Sequence, residues 1–158
     1  MSFTQPIPTL RRDGDAVVVL DQTRLPHAVS TVRIETLEQA AHAIHQMQVR
    51  GAPLIGVTAA FGVALALREA NDDAHLETAC ARLAATRPTA VNLHWALARM
   101  HTRLTGLAPA RRREAAWDEA DSIRRHDQDT CAAIGRHGAA LLRQIAERRG
   151  GPVRILTH

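Results

Sequence analysis

Lysine is absent from this sequence: all 20 of its basic residues are arginine. Schiff-base chemistry and a phosphate-loop lysine are therefore excluded within this chain. Tyrosine is missing too, and aromatic residues total 3%, so the stacking platforms that hold single-stranded nucleic acid are almost wholly lacking. The arginines are mostly interleaved with acids, and even the run Arg111-Arg112-Arg113 is followed at once by Glu114. A net charge of +4 spread in this way is not the basic footprint of a nucleic-acid binder, and no nucleic-acid partner is expected. The two cysteines, Cys80 and Cys131, fit no metal or redox spacing and read as small buried hydrophobes. His42 and His45 share a helix face without a third clustered ligand, so no metal site is expected. Long apolar runs are lacking as well. The longest, Pro53 to Leu67, falls short of the ~20 residues of a membrane span, and Pro6 and Pro8 sit where a signal peptide needs its apolar segment. The expectation is a cytoplasmic protein with no membrane partner.

What is present suits a globular fold: 46% of the 158 residues are hydrophobic and 23% charged, enough apolar material for a core. Asp13-Gly14 lies between Thr9-Leu10-Arg11 and Ala16-Val17-Val18-Val19-Leu20, a hairpin signal, and Val29 to Ile34 offers a third strand. Helices follow. Thr36-Leu37-Glu38-Gln39 has capping-box spacing, and the helix it opens is expected to end near Val49. Pro53 sits in the first turn of the next, where its missing N–H costs nothing. That helix, Leu54 to Leu67, is apolar all round and reads as central and buried, with Gly56 and Gly62 admitting close neighbours. Asp72 or Asp73 caps a third helix, Arg87-Pro88 breaks it, and a fourth runs from about Thr89 to Leu104. A long helix extends from Pro109 to about Arg148, where Gly135 and Gly138 mark a kink or close packing. Gly150-Gly151-Pro152 is a linker, and Val153 to Thr157 reads as a buried strand.

The fold class expected is α+β: a small N-terminal antiparallel β-meander (1–35), a helical part of the same domain (36–149), and a linker with the first strand of a Rossmann-like α/β domain whose remainder is absent (150–158).

Two junctions stand out as candidate chemistry. Arg50-Gly51-Ala52-Pro53 and Arg87-Pro88-Thr89 each put an arginine just before a helix start. A helix N-terminus offers free N–H groups and partial positive charge to an anion, and an arginine adds a fork matched to phosphate oxygens. Gly51 lets a ligand approach the backbone. Ordinary helix punctuation by Gly and Pro is the alternative. Asp118-Glu119-Ala120-Asp121 reads as a solvated helix face without a phosphate loop to serve. Trp95 and Trp117 read as core or interface residues. His158 ends the terminal strand.

The same junctions carry a family resemblance. Pro8-Thr9-Leu10, Asp13-Gly14, Leu20 to Pro26, Met47 to Pro53, Ile55-Gly56-Val57, Arg87-Pro88-Thr89-Ala90-Val91-Asn92-Leu93, Ile134-Gly135, His137-Gly138 and Ile155 to His158, in that order, resemble the S-methyl-5-thioribose-1-phosphate isomerases of methionine salvage. The resemblance implies that Arg50, Gly51, Ala52 and Arg87 bind the sugar phosphate. It implies a two-domain subunit forming a homodimer, with no metal and no cofactor. It places the catalytic Cys directly after the strand that ends in Thr-His, and a catalytic Asp later still, so no catalytic residue is expected in this chain and the chain alone is expected to be inactive. The sequence departs from the family pattern at Arg12, where Trp is usual, at Ala28, where Glu is usual, and at Thr130-Cys131, where Asn is common. Two other readings remain open: a non-catalytic sugar-phosphate-binding or scaffold module related to the regulatory subunits of the translation initiation exchange factor, and a free-standing helical interaction module.

Overall fold

Gly14, at a φ of 64°, turns the chain between β1 (Leu10–Asp13) and β2 (Ala16–Leu20). A positive φ carries no steric penalty in glycine, which is why Asp-Gly marks hairpins. In the computed structural model, which describes residues 7–156, β2 also pairs antiparallel with β3 (Thr31–Ile34), giving the order β1-β2-β3. Val17 opposes Ile34 and Val19 opposes Val32. β3 begins two residues later than Val29, which is exposed.

Thr36 caps α1 (Leu37–His45) as expected, its side chain accepting the Gln39 N–H at 3.2 Å, but Gln39 Oε1 reaches one residue further back than in a capping box and accepts the Glu35 N–H at 2.7 Å. The helix stops at His45 instead of near Val49. Met47 takes a left-handed φ of 58°, and the Val49 N–H bonds back to the Ala43 carbonyl at 3.3 Å, a helix-ending turn that still buries Val49.

α2 (Ala52–Ala66) is the central helix, buried from Ile55 to Ala66 and packed by α1, α3 (Asp73–Ala84) and α4 (Val91–Thr105). Both glycines expected to admit neighbours do so. A Cβ on Gly62 would lie 3.1 Å from the Ala40 Cβ and the Leu83 methyls, and one on Gly56 only 2.6 Å from the Asn92 carbonyl oxygen. Asp72 caps α3 by accepting the His75 N–H at 2.8 Å. α4 starts two residues after Thr89, and its face of Leu93, Leu97, Met100 and Leu104 is buried.

α5 (Pro109–Arg149) runs through both compact units into which the chain divides, Met1–Arg124 and Arg125–His158. In the first unit its early turns bring Ala116, Trp117, Ala120 and Ile123 into the core, where the Trp117 and Phe61 rings stack tilted at 5.7 Å between centroids. Arg12 lies over the Trp117 ring at 4.4 Å and pairs with Asp121 at 3.4 Å. Trp95, by contrast, is exposed and is no core residue.

The second unit continues α5 to Arg149, with Gly150 at a φ of 65° ending it. Gly135 and Gly138 meet nothing within 4 Å of an added Cβ, so close packing among the described residues does not explain them. Residues 151–156 form no strand. The expected strand of Val153 to Thr157 is corrected over Val153–Leu156: a strand needs a hydrogen-bonding neighbour, and none is found among the described residues. Thr157 and His158 lie outside the described residues.

Candidate functional site

Of the first four helices, α1 and α3 carry side-chain caps and an acid in the first turn, Glu38 and Asp73 respectively. α2 and α4 carry neither. Gly51 precedes α2 at φ 98° and ψ 128°, and Ala90 precedes α4; neither side chain can accept a hydrogen bond. Among the described residues, the N–H groups of Gly51, Ala52 and Leu54 at the start of α2 have no protein acceptor. The same is true of Thr89, Val91 and Asn92 at the start of α4. Uncapped N-termini without a neighbouring acid keep their partial positive charge for an external anion.

The two starts are neighbours. Gly56, the fifth residue of α2, approaches the backbone of Asn92, the second residue of α4. With a rise of about 1.5 Å per residue, Gly56 stands only ~6 Å along the axis from Ala52. Glycine at 56 is what allows the first turns to lie this close.

Arg50 is exposed and Arg87 half-buried, and among the described residues neither side chain has a protein partner. Many of the remaining arginines are engaged, with Arg82 on Glu38, Arg99 on Glu119, Arg112 on Asp73 and Arg113 on Asp15. The structure thus brings the helix starts beside Arg50 and Arg87 together, along with Gly51 and Ala52, which face solvent.

Sequence reasoning missed the residues that brace these junctions. The Gln22 backbone N–H donates to the Gln48 carbonyl at 2.9 Å, and its side-chain amide donates to the Arg50 carbonyl at 3.3 Å. His94 Nε2 lies 2.8 Å from the Pro88 carbonyl, so that nitrogen carries the proton and donates. Spacing alone does not signal the Gln22 side-chain contact, because Gln22 is 28 residues from Arg50.

Other candidates resolve otherwise. The Asp118-to-Asp121 segment is not a solvated face: Ala120 is buried, Glu119 pairs with Arg99, and Asp121 pairs with Arg12 and Arg124. Only Asp118 is exposed. Cys80 is half-buried, while Cys131 is exposed on α5 and not the buried hydrophobe expected. His42 and His45 join no group of three or more potential metal ligands among the described residues.

Comparison with known proteins places this architecture. The Initiation factor 2 subunit family matches residues 48–158, and the chain belongs to that family. Within it, the chain is 55% identical over 155 residues to methylthioribose-1-phosphate isomerase of Dechloromonas aromatica (strain RCB), covering 97% of this chain and 43% of that protein. Against the protein of that name from Methylorubrum populi it is 56% identical over 145 residues, covering 92% and 40%. The chain therefore spans less than half the length of these relatives. Two crystal structures share the fold. One is 5-methylthioribose 1-phosphate isomerase from Pyrococcus horikoshii OT3, with a TM-score of 0.70 and 32% identity over 76% of this chain and 36% of that one. The other is subunit delta of the translation initiation factor eIF-2B from A. fulgidus, with a TM-score of 0.70 and 34% identity over 77% and 38%. The resemblance first carried by the two arginine junctions and the segments around them is borne out.

Proposed function

We propose that this chain is the sugar-phosphate-binding part of a methylthioribose-1-phosphate isomerase, which converts 5-methylthioribose 1-phosphate to 5-methylthioribulose 1-phosphate in methionine salvage. The observation that carries the reading is the contact of Gly56 with Asn92, which sets two uncapped helix starts side by side with an arginine ahead of each. In this reading the Arg50 and Arg87 guanidinium groups neutralise the phosphate, while the N–H groups of Gly51 and Ala52 fix its orientation. The identity of 55 to 56% with proteins of that name supports the assignment.

The reaction moves a proton between C1 and C2 of the opened sugar and needs an acid/base pair. The Cys and Asp that the resemblance calls for are matched by no residue of this chain; Cys80 and Cys131 stand elsewhere. The chain by itself is therefore expected to bind without turnover, as the N-terminal part of a longer, cytoplasmic, homodimeric enzyme that uses no cofactor. In the domain arrangement proposed, 1–35 and 36–149 form one domain and 150–158 lead into a second.

Calorimetric titration with methylthioribose 1-phosphate tests the site. Arg50→Ala and Arg87→Ala each remove charge-assisted hydrogen bonds of about 1.5–3 kcal/mol, and each is expected to weaken binding roughly 10- to 100-fold. Unchanged affinity in both variants excludes the two-junction site. An isomerase assay of the unmodified chain is expected to show no product, and measurable turnover overturns the non-catalytic part of the proposal.

The likeness to the eIF-2B delta subunit structure favours a second reading, a sugar-phosphate-binding or scaffold module without turnover. Rejoining this chain to the remainder of an isomerase relative separates the two: restored isomerase activity supports the enzyme, and binding without activity supports the module.

A further inference from the structure

The stretch Leu20 to Pro26 carries part of the resemblance to the isomerases but contributes none of the four residues assigned to the phosphate. Its first turn is tightly organised. The Asp21 carboxylate accepts the Thr23 N–H at 3.0 Å and the Thr23 hydroxyl at 2.6 Å, and the Asp21 N–H reaches the Ser30 carbonyl at 2.9 Å. Gln22, half-buried, is presented by this fixed turn and holds the segment before α2 at two points, the carbonyls of Gln48 and Arg50.

The second point has a geometric consequence. The Arg50–Gly51 peptide is trans and planar, so its carbonyl and its N–H point in opposite directions. A carbonyl held on the Gln22 amide sends the Gly51 N–H away from Gln22. That N–H joins those of Ala52 and Leu54, which have no acceptor among the described residues. Glycine's freedom at position 51 would otherwise let this peptide turn over, because glycine populates both signs of φ. A donor is required at 22, since a carboxylate there would face the Arg50 carbonyl oxygen as a second acceptor.

We propose that Gln22 is a positioning residue that locks the Arg50–Gly51 peptide and aims the Gly51 amide at the bound phosphate. The proposal rests on the sugar-phosphate reading of the two junctions.

The experiment titrates methylthioribose 1-phosphate into the full chain, following the Gly51 amide by ¹⁵N–¹H spectroscopy and the affinity by calorimetry. It compares wild type with Gln22→Met, Gln22→Glu and Arg50→Ala, and records the melting temperature of each. Wild type is expected to shift the Gly51 resonance on saturation. Gln22→Met keeps the side-chain length without the donor, and Gln22→Glu reverses its polarity. Either one, if folded with an unchanged melting temperature, is expected to lose that shift and to bind roughly tenfold more weakly. If wild type shows no ligand response, the sugar-phosphate reading falls and Gln22's role falls with it. If wild type responds, Arg50→Ala weakens binding roughly 10- to 100-fold and a folded Gln22 variant keeps both the shift and the affinity, only the positioning role is overturned.

Discussion

Cys80 and Cys131 carry the same side chain in opposite surroundings. Burial, and after it the charge of Glu77, pushes the Cys80 thiol up to about 11, while Cys131 is exposed on α5. The thiolate is the reactive form, so at pH 8 Cys80 holds about 100-fold less of it than a thiol at the ordinary value. A disulfide reagent is expected to modify Cys131 rapidly and Cys80 slowly, which Cys80→Ser and Cys131→Ser variants distinguish by counting fast-reacting thiols. Fast labelling of both in the native chain contradicts the burial of Cys80. The sign of the pH effect follows from linkage. The folded chain keeps the Cys80 proton to higher pH than the unfolded chain does. This contribution to stability is therefore complete below the ordinary value of 9.0 and is lost as pH rises from there to about 11. Charge at this scale was less legible in the sequence than apolarity. Arg112, in the middle of a basic run, is buried and bonds to the Leu107 and Asn71 carbonyls and to Asp73. Periodicity reports which face is apolar, but it does not report which charged side chain finds partners 41 residues away.

At the scale of elements, the site depends on how closely α2 and α4 approach, and the two glycines of α2 test this separately. An alanine methyl at Gly56 meets the Asn92 backbone carbonyl at 2.6 Å, and a backbone oxygen cannot move without its helix. At Gly62 the neighbours are the Ala40 Cβ and the Leu83 methyls at 3.1 Å, and a leucine side chain can give by a few tenths of an ångström. Gly56→Ala is expected to destabilise by about 1–3 kcal/mol and to weaken sugar-phosphate binding by parting the two helix starts. Gly62→Ala is expected to cost less and to leave binding intact. Urea unfolding and calorimetry on the two variants check this, and equal effects on binding would remove the link between helix approach and site. The helices were largely legible because their signals are local: Thr36 and Asp72 as caps, and Pro53 in a first turn. Their ends were less so, since α1 stops where Met47 adopts a left-handed φ that a methionine does not advertise. The arginines of the proposed site were picked out by their place before helix starts. The side-by-side arrangement of those starts was not, because it arises from packing between α2 and α4.

At the scale of the whole molecule, burial is unevenly distributed along the chain. Among the described residues every buried side chain lies at or before Ile123, one residue short of the division into units at Arg124. The 25 residues of α5 from Arg125 to Arg149 bury nothing, and Ile134 and Leu141 are exposed on them. A helical segment without tertiary burial lacks the packing that supplies most helical stability in proteins. Stability is therefore expected to reside in the first unit. A chain ending at Arg124 retains every buried residue together with Gln22, Arg50, Gly51, Ala52 and Arg87. It is expected to unfold cooperatively with a melting temperature within about 4 °C of the parent, the shift that ~1 kcal/mol produces in a domain of this size. Its affinity for methylthioribose 1-phosphate is expected to be unchanged. In the parent chain, amide hydrogens between Arg125 and Arg149 should exchange much faster than those of α2, because opening them exposes no core. A drop of more than about 10 °C on truncation, or α2-like protection of the 125–149 amides, would show that the second unit contributes to the stability of the first, and the burial pattern would then be a poor guide to where this fold is held.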